Sequence, residues 1–177
     1  MKRTTLTLLG VAAALIGAGL TLPEAAARHA RSTEANKALV RRAMDELWNQ
    51  GNVAAVDKYA AADFVEHQAV PGMPPGREGL KQVVTLFHQA FPDLKFTIDD
   101  TIAEGDKVVV RSTVQGTHKG TYLGIPATNK PFTITSIDIL RLQGGKVVEH
   151  WGNEDDLGML TQLGVVSMPA PPAPAAP

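Results

Sequence analysis

Apolar residues recur at helical spacing from Glu34 to Gln50. Leu39, Val40, Ala43, Met44, Leu47 and Trp48 form one stripe, and Arg41, Arg42, Asp45 and Glu46 fill the opposite side. This pattern predicts an amphipathic helix, followed by a shorter one through Val53, Val56 and Tyr59. Phe64-Val65-Glu66-His67 reads as a short extended piece, and the Pro- and Gly-rich run VPGMPPGREG beyond it as a loop. A third helix is predicted over 76–91, with Leu80, Val83, Val84, Phe87 and Phe91 on one side and Pro92 as its stop.

From Leu94 onward the period shortens to two. Leu94, Phe96 and Ile98 alternate with Lys95 and Thr97. Over 107–119, Val108, Val110, Ser112 and Val114 share one face against Val109, Arg111, Thr113 and Gln115. Gly116 inside this run suggests a bulge or a bend. The strongest β signal is PFTITSIDILRLQGGKVVEHWG, residues 131–152: a β-branched strand, a Gly144-Gly145 turn and a return strand. A short helix follows over 155–163. Helices first and then a run of antiparallel strands is an α+β layout. Three helices on the concave side of a strongly curved sheet would leave an enclosed cavity at the open end.

Composition locates the chain more than it refines the fold. With 177 residues, one domain is expected, and it is large enough for a real core. The formal net charge of −1 implies no general attraction to nucleic acid or to acidic membranes. Absence of cysteine excludes disulfides, thiol nucleophiles and thiolate metal sites. Lys2 and Arg3 precede an apolar run from Leu6 to Leu22, and Ala25-Ala26-Ala27 then offers an A-x-A cleavage pattern. The expectation is a signal peptide over 1–27, a short linker over 28–33, a folded domain over 34–166 and a disordered Pro/Ala-rich tail over 167–177. Export follows from that layout, to periplasm or medium, with no membrane attachment after cleavage. The alternative is an uncleaved membrane anchor, for which the run is somewhat short and rich in Ala and Gly. Either way the folded part lies outside the cytoplasm.

Candidate chemistry centres on the hairpin. Phe132, Ile134, Ser136, Asp138 and Leu140 project from one face, and an Asp in such company needs a pocket or a partner. The return strand carries Glu149, His150 and Trp151. His67, His118 and His150 all fall on strand-like segments and could meet on one curved sheet, each with the alternative of a structural histidine bonded to backbone. Three imidazoles with an open fourth position would suit catalytic zinc, yet no spacing resembles a zinc motif such as HExxH, so no metal is expected. A carboxyl–imidazole pair in a dry cavity can shuttle a proton at neutral pH. The catalytic candidates are therefore Asp138, His150, His67 and His118. Glu66, Ser136, Trp151 and Phe87 are the candidates for substrate contact.

Helix, FVEH, Pro/Gly loop, helix, GTHKGTYLGIPATNKPF, IDILRLQGGKVVEHW and DDLGMLTQLG together resemble a SnoaL-like polyketide cyclase, or ester cyclase, domain. The resemblance spans about 34–166. It implies the cone-shaped fold of nuclear transport factor 2, a mostly apolar pocket for a small hydrophobic ligand, and frequent dimerisation through sheet faces. It also implies an intramolecular aldol closure with neither cofactor nor metal, in which a carboxylate takes a proton from an activated carbon. One position departs: the acid/base Asp of those cyclases falls where this chain has Gly152. Asp138 could act instead from the neighbouring strand, with His150 or His67 as partner. Two other readings stand beside this one: a binding protein using the same pocket without turnover, and an interaction module using the outer sheet face, which would need a closed or filled pocket.

Overall fold

The computed structural model describes residues 22–167. The expected leader lies outside the described residues up to residue 21, and the expected tail lies outside them beyond residue 167. Helix α1 runs Leu22–Met44 and passes into a π-helical turn over Asp45–Asn49; α2 is Ala55–Tyr59 and α3 is Gly76–Ala90. Strand β1 is Ala60–Glu66, β2 Lys95–Glu104, β3 Lys107–Thr117, β4 Pro131–Gln143 and β5 Lys146–Glu154, with α4 over Asp156–Gln162 closing the chain. The first helix thus starts at Leu22 rather than at Glu34, and residues 28–33 are helical rather than a linker. Alanines and arginines through this stretch are good helix formers, which a buried stripe is not needed to explain.

The five strands form one curved open sheet in the order β1-β5-β4-β3-β2. Neighbours from β2 through β5 are antiparallel, while β1 joins the edge of β5 in parallel. The β4–β5 hairpin turns at Gly144 and Gly145, whose φ values of 59° and 75° suit glycine. Register shifts fall between Ile98 and Asp100, between Arg141 and Leu142, and between Ala60 and Val65. Such extra residues bend and twist a sheet. Gly116 is not one of them: it pairs in regular register with Phe132. Its missing side chain makes room instead, because a Cβ there would lie 3.2 Å from Phe132 and 3.3 Å from Phe91.

The inner sheet face carries two apolar clusters. One joins Val40, Val56 and Val84 of the helices to Val108, Val110, Leu140 and Leu142 of the sheet. The other joins Phe91, Val114, Tyr122, Phe132 and Ile134 to Met159 and Leu163. Between them on the same face lie Ser112, Ser136 and Asp138, at 0%, 1% and 4% exposure. Strand register makes this boundary polar, since Ser112, Ser136 and Glu154 form one cross-strand row and Asp138 and Gly152 pair in the next.

Candidate active site

A cavity of about 570 Å³ opens over this polar boundary, within the size range of small-molecule sites. Trp48, Tyr59, Leu80, Phe87 and Met159 supply apolar wall, and Met73 and Pro74 of the Pro/Gly loop cover one side. Asp138, His150, Glu66, Gly152 and Glu154 form its polar end. A cavity that is open removes the condition under which the chain would be purely an interaction module.

His150 sits between two carboxylates. Its Nδ1 lies 2.7 Å from Glu66 Oε2 and its Nε2 lies 3.1 Å from Asp138 Oδ1. The parallel pairing of β1 with β5 sets Glu66 beside His150, and the hairpin sets His150 opposite Leu140, two register positions from Asp138 and on the same face. Burial works against charge on the imidazole. The hydrogen bonds to Asp138 and Glu66, and their charges, outweigh it and raise the His150 pKa to about 9. At neutral pH His150 is therefore an imidazolium that donates to both neighbours. Ser136 donates to Asp138 Oδ2 at 2.9 Å and is linked to Ser112 at 2.7 Å. Both Asp138 side-chain oxygens thus have a partner, and each keeps a lone pair unused.

Gly152 leaves the approach to this carboxylate open. A Cβ there would lie 3.1 Å from His150 Cε1 and 3.4 Å from Asp138 Oδ1 and from Gln68 Oε1. Glu154, two residues on, faces the same cavity. Its side chain lines the cavity and is exposed there. Burial, with the charges of Asp138, Asp156 and Glu66, pushes its pKa up to about 7 against a smaller opposing effect of His150.

The remaining candidates separate by face. Phe87 lines the cavity. Ser136 does not reach it and acts behind Asp138. Trp151 is corrected to the outer face: strand alternation turns it away from His150, where it stacks on His67 at 4.5 Å between centroids. His67 lies outside too, 3.2 Å from Glu149 Oε2. The Arg141 guanidinium, then His67, hold the Glu149 carboxyl below its ordinary range. His118 is fully buried, but its Nδ1 is bound to Thr128 and the ring packs on Phe91. The three histidines therefore do not converge; only His150 meets Asp138. Glu154 was missed, although the alternation from His150 through Gly152 points to it. Gln68 lies in a loop and carries no such signal. Among the described residues no group of three or more His, Asp and Glu side chains is arranged to hold a metal ion.

An inward carboxylate and imidazole at the floor of an apolar cavity, on a curved sheet backed by helices, is the arrangement that the hairpin motif implied. The sequence profile of the SnoaL-like polyketide cyclases matches residues 38–163. The chain belongs to this family. It is similar to aklanonic acid methyl ester cyclase DnrD of Streptomyces peucetius, at 30% identity over 71% of this chain and 88% of that protein. It is also similar to nogalonic acid methyl ester cyclase of Streptomyces nogalater, at 27% identity over 68% and 92%. Among solved structures, TsrD from Streptomyces laurentii superposes with a TM-score of 0.66 at 32% identity, covering 73% of this chain and 97% of that one. Wild-type IdmH from Streptomyces antibioticus superposes with a TM-score of 0.62 at 32% identity, covering 73% and 98%. Among the described residues of this family member, no helix is long and apolar enough to cross a membrane.

Proposed function

We propose that the chain is a cofactor-independent ester cyclase that closes a ring by intramolecular aldol addition on a small apolar carbonyl compound. Family membership supports cyclase activity of this kind. The observation that carries the assignment to Asp138 is the open approach beside Gly152 to a buried carboxylate bound by His150 and Ser136. Asp138 takes the proton from a carbon made acidic by adjacent carbonyls. His150, already charged, is not the base. It holds Asp138 in place, and its charge offsets the carbanion formed nearby. The new carbon–carbon bond leaves negative charge on the attacked carbonyl oxygen, and a protonated Glu154 supplies the proton. Transfer of the proton from Asp138 back to Glu154 through water resets the site.

The test is incubation with aklanonic acid methyl ester and with nogalonic acid methyl ester, followed by chromatography and mass spectrometry of the ring-closed product. Turnover by the wild-type chain with a loss of at least about 100-fold in Asp138→Asn is expected for removal of a general base. Full turnover by Asp138→Asn would remove Asp138 from the mechanism. Gly152 favours a second reading, a binding protein, because the family's base position holds no side chain. That reading predicts a stoichiometric co-purifying ligand and no product with either ester. Export by the leader and pairing of two copies through the outer face, where Val65 and Ile137 are half exposed, belong to the same proposal. N-terminal sequencing of the exported protein and sedimentation analysis test them.

A further inference from the structure

The hydroxyl of Tyr122 is a polar group that the reaction above leaves unused. Tyr122 is 6% exposed and lines the cavity. No described residue bonds its Oη, which is not a fully buried polar atom left without a partner and so keeps surface at the cavity. Water entering the cavity satisfies such a hydroxyl, and a ligand acceptor of matching geometry replaces that water. The cavity is where that acceptor sits.

The ring cannot swing away to find another. It packs against Phe87 and Phe91, with centroids 5.3 Å and 5.1 Å away. The segment that carries it is tied to the end of α3, because the N–H groups of Lys119 and Gly120 both donate to the Ala90 carbonyl, at 2.8 Å and 3.0 Å. A Cβ on Gly120 would lie 2.2 Å from the Gln89 carbonyl oxygen, so glycine is what permits this approach. The Thr128 N–H donates to His118 Nδ1 at 3.3 Å and draws the two ends of the segment together. Tyr122 and Ile125 exchange backbone hydrogen bonds at 3.0 Å and 2.8 Å across the turn.

The charges around the phenol restrict the partner. Burial, then the carboxylates of Glu154 and Asp156, hold its pKa above the ordinary phenol range, so it is a neutral O–H donor at working pH. His150 is the one cationic side chain among the described residues that line the cavity, against Glu66, Asp138, Glu154 and Asp156. An anionic ligand would meet this acidic end unfavourably, whereas an uncharged acceptor meets a donor that no described residue occupies.

We propose that the Tyr122 hydroxyl donates a hydrogen bond to an uncharged carbonyl oxygen of the ligand. Resting on the cyclase reading, this makes Tyr122 the group that touches the carbonyl under attack; the hydrogen bond itself can be tested without turnover. The probes are 9-fluorenone and fluorene, planar tricycles that differ by one carbonyl oxygen. Fluorenone is expected to bind the full chain about tenfold more tightly than fluorene, with its infrared carbonyl stretch lowered on binding. Tyr122→Phe keeps the ring packing. It should reduce the preference to about twofold or less and return the stretch to its frequency in apolar solvent. Asp138→Asn should retain both signatures, so lost turnover in that variant bears on the cyclase reading alone. Equal binding of ketone and hydrocarbon by the wild-type chain, absence of fluorenone binding, or an unchanged carbonyl frequency in Tyr122→Phe would overturn the proposal.

Discussion

The charge on His150 gives a prediction that can be worked through in numbers. Its pKa rises from 6.5 in the unfolded chain to about 9 in the fold. That rise corresponds to about 3 kcal/mol of preference for the imidazolium, and solvent at the 21% exposed side chain trims it to about 2–3 kcal/mol. Because the folded pKa is the higher one, the contribution is fully present below about pH 6.5 and is lost as pH rises through about 9. Urea denaturation of the wild-type chain and of His150→Gln across that window should therefore show a wild-type-specific loss of stability. The histidine resonance that disappears in His150→Gln should titrate near 9 by NMR. In Asp138→Asn the amide oxygen still accepts from Nε2 but the charge is gone, so the titration should move down by about one unit or more. A His150 resonance titrating near 6.5 in the wild-type chain would refute the two-carboxylate account of the site.

Three further outcomes follow from the same geometry. If protonated Glu154 is the proton donor, turnover should fall as pH rises through about 7, and Glu154→Gln should abolish that limb of the profile. Ser136→Ala removes a donor to Asp138 and a partner of Ser112, both buried, and should cost about 1–3 kcal/mol in urea denaturation; an unchanged midpoint would count against the buried network. Gly152→Ala places a methyl group 3.1 Å from His150 and 3.4 Å from Asp138. Turnover should drop about tenfold or more while stability changes by less than about 1 kcal/mol, since a small misplacement of reacting groups is costly to rate; wild-type turnover would show that substrate does not approach along this path.

Much of the fold and part of the site are legible in the linear chain because they depend on local periodicity. Alternation alone puts Phe132, Ile134, Ser136, Asp138 and Leu140 on one face, and all five are buried there. The Gly144-Gly145 turn specifies an antiparallel hairpin, which brings His150 to Leu140 and Gly152 to Asp138. Tertiary structure decides which of the histidines matters. His67 and Glu66 are adjacent in sequence, yet the parallel register of β1 on β5 turns Glu66 inward to His150 and His67 outward to Trp151. No local pattern contains that register, because it depends on a pairing between residues about eighty positions apart. His118 likewise looks like a strand residue until the loop closes on it through Thr128. The charge state of His150 and the raised pKa of Glu154 belong to the assembled cavity: Glu66 and Asp138, from separate strands, hold the imidazolium against the effect of burial, while burial and neighbouring carboxylates together raise Glu154. Periodicity assigns a side chain to a face; the pairing of distant strands decides which groups meet there and what charge they carry.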